Sequence, residues 1–240
     1  MLLRPGLAAA APGLDSKVYG ATIESGVTEI ETRYARLTGK TDDGASALVL
    51  EAAHGFSDRF YGALLTTLSR DPGQLAGGTT RVSGIGIEGI YRIGRIPGTG
   101  VDVAAYGEYD AAFQGEPHNI EFKALLEKRA GKLDTRVNLV AERLLRSTAP
   151  VVFSYAASTD YAVVGDEVRL GVQAFGDLGD SGRFGGRQAH FIGPVGKFEI
   201  EHTPIGGELG IEAGYLFAVG AARDSARGQA RLLLEWEFRF

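Results

Sequence analysis

Along most of the chain, apolar and polar residues alternate with a period of two. "VTEIETRYARL" sets Ile30, Thr32 and Tyr34 against Glu29, Glu31 and Arg33. "SGIGIEGIYRIG" sets Ile85, Ile87 and Tyr91 against Gly86, Glu88 and Arg92, and "ELGIEAGYLFAVG" sets Leu209, Ile211, Tyr215 and Phe217 against Glu208, Gly210, Glu212 and Gly214. Alternation of this kind argues for strands. No segment keeps a helical apolar stripe as well. Turn residues cut the chain into runs predicted at 27–38, 45–53, 59–69, 80–93, 101–113, 118–130, 134–145, 151–163, 167–177, 187–201, 206–220 and 229–240. A shorter extended piece, Val18–Glu24, precedes them.

The connections alternate too. Odd-numbered ones such as "DPGQLAGGT" and "LGDSGRFGG" are longer and more polar than even-numbered ones such as "AGKL" and "VGD". Long loops at one end and tight turns at the other fit an outer-membrane barrel, with an even strand number and both termini on the periplasmic side. The runs exceed the roughly 5–6 residues of soluble strands and meet the roughly 9–11 that a tilted membrane strand needs. The charged face is rich in small residues, Gly84, Gly86, Gly210 and Gly214 among them, as a crowded barrel interior requires. Aromatics on the apolar face gather near run ends, at Tyr34, Phe60, Tyr91, Tyr109, Phe153 and Tyr161, as in interfacial girdles. An open edge strand in lipid would leave its backbone groups unsatisfied, so the sheet must close. The expected fold class is therefore all-β, a transmembrane antiparallel up-and-down β-barrel of about 12 strands. It covers residues 27–240, after an N-terminal periplasmic segment or signal-peptide remnant, residues 1–26. That segment either folds inward as a partial plug or hangs as a periplasmic tail.

Composition narrows the function classes. Net charge is −5 with both signs interspersed, which speaks against nucleic-acid binding. The chain has no cysteine, which removes disulfides, thiolate catalysis and Cys-based metal sites together. No run reaches the roughly 18–20 apolar residues of a spanning helix. The small-residue run Ala8–Ala11 resembles the tail of a signal peptide, but no apolar h-region precedes it.

The chain ends in "LLLEWEFRF". This stretch resembles the C-terminal insertion signal of Gram-negative outer-membrane β-barrel proteins, with alternating apolar residues before a terminal aromatic. The resemblance implies that Trp236, Phe238 and Phe240 form the signal and that the barrel-assembly machinery reads it. "VYGATIESGVTEIETRY" together with "EFRF" also looks like an uncharacterised group of proteobacterial outer-membrane proteins, which implies location and no activity.

With the charged face inward, the candidates for the lumen lining are Glu29, Glu31, Arg33, Glu88, Arg92, Asp102, Glu108, Asp110, Glu121, Lys123, Glu127, Arg129, Arg136, Glu142, Arg169, Glu208, Glu212, Glu235, Glu237 and Arg239. The same parity holds Glu51, Asp160, Lys197 and Arg231. Acids exceed bases, which favours cations or neutral polar solutes. The expected function is a narrow channel or pocket for small polar solutes. The alternatives are a plugged structural barrel without transport, or an outer-membrane lipid-modifying hydrolase. A hydrolase would need a His–Ser pair on the outer wall. His190 alone has the parity for it, and no Ser stands two residues on; His54 and His202 are expected in periplasmic turns and His118 in an outer loop. No catalytic residue, cofactor or metal site is expected; the partners are the outer-membrane bilayer, the assembly machinery and an unidentified small solute. Strand 229–240 is expected to pair with 27–38, so that Glu235, Glu237 and Arg239 share a face with Glu29, Glu31 and Arg33. A soluble lipid-binding barrel of about eight strands is excluded by the number of runs.

Overall fold

The computed structural model describes residues 11–72, 80–204 and 206–239. Its strands are β1 Val27–Thr38, β2 Ser46–Ser57, β3 Phe60–Arg70, β4 Arg81–Ile96, β5 Val101–Ala112, β6 Asn119–Ala130, β7 Leu133–Leu144, β8 Val152–Val164, β9 Val168–Asp180, β10 Arg183–Phe184, β11 Ala189–Ile200, β12 Glu208–Gly220 and β13 Gly228–Arg239. Twelve long antiparallel strands make the wall, and β10 is a two-residue ribbon folded back on the end of β9. Each wall strand pairs with the next along the chain, and β13 pairs with β1 to close the ring. The seam pairs the expected strands and puts the expected residues on one face. Glu29 lies opposite Glu237, Ile30 opposite Trp236 and Glu31 opposite Glu235.

The alternation in sequence becomes an inside and an outside. Leu64, Ile87, Phe122 and Phe217 are 65, 58, 60 and 57 % exposed on the outer face. Apolar exposure on this scale is untenable in water, so the belt faces lipid. Phe60, Tyr91, Tyr109 and Tyr161 are exposed towards its edges. Near the terminal strand's end, the Trp236 indole donates to the Gly206 carbonyl at 2.9 Å. Phe240 lies outside the described residues.

Three strands outrun their predicted ends by three residues or more: β2 to Ser57, β4 to Ile96 and β9 to Asp180. In β2 the sequence "HGFS" reads as a turn, yet Gly55 is an inward strand residue. It has no Cβ because the Glu24 carbonyl passes where one would stand. His54 consequently sits within β2 and bonds Thr28 at 2.9 Å, not in a turn. The tight β6–β7 connection is a two-residue turn with Gly131 at φ 58°, which the hairpin geometry demands. At the opposite end, Arg187 grips Asp224 through two 2.8 Å bonds and holds its carboxyl below the ordinary aspartate range.

Candidate functional site in the barrel interior

The register sets every charged lumen candidate on the inner face. Most of them are paired. Asp102 accepts from Arg92 at 2.9 Å and from Arg95 at 2.6 Å. Glu127 meets Arg129 at 2.8 Å and Arg136 at 3.5 Å, and Arg136 also meets Asp134 at 2.9 Å. Lys123 pairs with Glu121 at 2.8 Å. Asp160 takes Lys197 at 2.7 Å as well as Arg169, and Glu212 takes Gln173 at 2.6 Å. Arg129 and Arg239 stand at the rim and are largely exposed. Pairing of this kind is what burial of charge demands.

Residues 11–26 run along the inside of the barrel. At the even-turn end, the Gly26 amide donates to Gly55 at 2.8 Å, and Arg239 reaches Glu24. Further in, the amides of Ala21 and Thr22 donate to Glu127 at 2.8 and 3.2 Å. At mid-height the fully buried Asn138 side chain clasps the backbone of Tyr19, accepting from its N–H at 2.8 Å and donating to its carbonyl at 3.0 Å. The Tyr19 hydroxyl donates to Glu88 at 2.9 Å and accepts from Arg33 at 3.1 Å. Towards the other end, Arg231 donates to the carbonyls of Gly13 and Ser16 and stacks on the Phe175 ring at 4.2 Å. There Leu14 and Val18 pack on an apolar cluster that includes Phe175, Phe191 and Leu216. The inner face is thus charged over most of its height and apolar beneath the long loops. A cavity bounded by Leu14, Ser16, Arg33, Glu212 and Arg231 measures about 10 Å³, the space of a single water.

The carboxylates have a second level of order. Following direct cross-strand partners on the inner face, Glu208 meets Glu237, which meets Glu29. After Ala53 and Ala63 the same row continues through Glu88, Glu108, Glu121 and Glu142. Seven glutamates therefore lie in one register row that climbs from the even-turn end, at the start of β12, to the loop end of β7. Beside it, Glu235, Glu31 and Glu51 are consecutive partners. Like charges directly opposite each other are destabilising.

Cations answer part of this row. The Lys17 ammonium lies among Glu29 at 3.4 Å, Glu51 at 3.5 Å and Glu31. Arg33 pairs with Glu31 at 3.2 Å and Glu51 at 3.0 Å, and Tyr61 donates to Glu51 at 2.9 Å. Lys123 lies 4.4 Å from the Tyr19 ring centre and 4.1 Å from that of Tyr106. Among the described residues, two carboxylate triads have oxygens within 4.8 Å of one another, Glu29/Glu31/Glu51 and Glu29/Glu235/Glu237. The first already holds the Lys17 ammonium.

Parity alone puts Tyr106 and Asn138 on the charged inner face, as found; sequence reasoning missed Lys17 and Tyr19 as inner-face partners, and Asn138 as a clasp. For the segment, the signal was the short extended stretch Val18–Glu24 before the first strand. On the outer wall, His190 bonds the Tyr155 hydroxyl at 3.3 Å, and His118 bonds that of Tyr109 at 2.9 Å.

No family model matches the chain, and no curated protein matches it in sequence. Solved structures do match. An outer membrane channel from Pseudomonas putida F1 superimposes with a TM-score of 0.60 at 14 % identity, covering 91 % of this chain and 97 % of that one. The KdgM porin in complex with disordered oligogalacturonate gives 0.55 at 12 % identity, over 88 % of this chain and 99 % of that one. The NanC porin gives 0.55 at 11 % identity, over 88 % and 100 %. The chain has the fold of these outer-membrane barrels. At these identities the likeness fixes the fold, and its lipid-facing belt accords with the bacterial outer membrane.

Proposed function

We propose that the barrel is a narrow outer-membrane channel for small polar solutes that favours cations, and that residues 11–26 hold it closed in the state described here. The row of seven glutamates carries this reading. A purely structural interior has no use for like charges in register, and rings or rows of acids are how cation pores select. An acidic wall of this kind repels polyanions such as the oligogalacturonate bound by the KdgM porin. The N-terminal segment is held by side-chain hydrogen bonds and ion pairs that can be released singly, which suits a movable element. The division of labour is then a plug segment within residues 1–26 and a channel wall from residue 27. The terminal strand, with Trp236 and Phe238 outward, serves as the signal for the assembly machinery.

Planar-bilayer recording tests the reading. The full chain should show infrequent openings whose reversal potential in a KCl gradient has the cation-selective sign. A barrel that never opens, even when its segment is loosened by substitution, supports the plugged structural alternative, which the continuous bonding of residues 17–24 favours. Anion selectivity would refute the proposal outright.

A further inference from the structure

The acidic row points to a chemical class of solute. We infer that Glu29, Glu31 and Glu51 form a binding site for alkylammonium cations, and that Lys17 occupies it as the chain's own stand-in. The inference rests on the channel reading only for how a solute arrives. Lys17 presents what a protonated aliphatic amine presents, an ammonium head on a methylene stem. Its nitrogen lies among three carboxylates while its charge also lies 4.9 Å from the Tyr19 ring centre. Arg33 answers Glu31 and Glu51 from another side. With Lys17 withdrawn, three acids would face one guanidinium, so the site would attract a replacement cation.

The surroundings favour an organic cation over a metal ion. Calcium takes 6–8 oxygen ligands. Here Glu51 is already engaged by Arg33 and Tyr61, and Glu31 by Arg33, which leaves too few free oxygens for a metal shell. Aromatic faces attract organic ammonium groups in turn. The same stretch of lumen holds a second ammonium, since Lys123 and Lys17 both approach the Tyr19 ring. Past that ring the row continues through Glu88, Glu108, Glu121 and Glu142, with successive strands about 4.8 Å apart. Glu88 is 3 % exposed, and its Oε1 has no hydrogen-bond partner among the described residues. A linear polyamine, several ammonium groups on one flexible chain, matches this sequence of seats.

Spermidine is the probe. In wild-type protein in detergent, added spermidine should displace Lys17 and speed amide exchange at Tyr19, Ala21 and Thr22 at least tenfold, while magnesium chloride at equal ionic strength should not. In Lys17→Ala, with the seat vacant, calorimetry should show spermidine binding at least tenfold tighter than in wild type. Adding Glu31→Gln and Glu51→Gln should abolish that binding. Each variant is checked for its heat-dependent gel shift, and the exchange experiment needs no variant. Binding retained in a barrel that never conducts supports the site and refutes the channel reading. Equal effects of magnesium and spermidine, or conduction with no spermidine effect on exchange or binding, overturn the site.

Discussion

The clasp between Asn138 and Tyr19 permits a quantitative test of the segment's hold. Asn138 is fully buried and makes two hydrogen bonds to the Tyr19 backbone, at 2.8 and 3.0 Å. Asn138→Leu keeps the number of side-chain heavy atoms and the branch at Cγ but removes both bonds. Each such bond contributes about 0.5–1.5 kcal/mol net, so the pair contributes about 1–3 kcal/mol to docking. At about 1.4 kcal/mol per factor of ten, the undocked population should rise roughly 5- to 150-fold. The amides of Ala21 and Thr22 report it, because both donate to Glu127 only while the segment is in place. Hydrogen exchange by mass spectrometry, run with a gel-shift check of folding, should show these amides accelerated by that factor and the wall strands unchanged. Acceleration below twofold in a folded barrel would refute the docking account. So would equal acceleration across β6 and β7, which would mean that Asn138 supports the wall instead.

Other outcomes follow from the wall. Ile87→Arg, at mid-belt and 58 % exposed, should destabilise folding into vesicles by about 2–4 kcal/mol in a urea titration, and Glu88→Gln on the opposite face by far less. Thr32→Cys with Leu234→Cys, direct partners across the seam, should form a disulfide that preserves compact gel mobility after boiling without reductant; Thr32→Cys with Phe238→Cys should not. Gly55→Val would drive a side chain into the Glu24 carbonyl, so exchange over residues 22–26 should rise while the barrel still folds.

The strands were legible because lipid outside and charge inside impose a strict period of two, and parity alone sorts Ile87 outward and Glu88 inward. The seam was legible because two ends on one side of a closed meander must meet. Parity does not carry register. That Glu88, Glu108, Glu121 and Glu142 are direct neighbours depends on turn lengths such as the two residues at Gly131–Lys132, which pattern reading locates only loosely. The docked segment was harder still. Lys17 and Tyr19 find partners on β1, β2, β4, β5 and β7, contacts that no local pattern encodes. The apolar patch around Phe175 and Leu216 was hidden for the opposite reason, since apolar residues on the inner parity contradict the rule that identified the wall.

The glutamate row also separates two things that a barrel of this kind must inherit. Sliding one strand past its neighbour by two residues returns every apolar side chain to lipid, so the bilayer is blind to the slip. The row is not, because its carboxylates would part company. Their mutual repulsion already pushes towards such a slip. What resists is the length of the turns. A two-residue insertion at Gly131–Lys132 would leave an insertable barrel and a scrambled interior. Residence in the membrane and the order of charges along the interior can therefore drift independently, the first written in side-chain parity and the second in the turns.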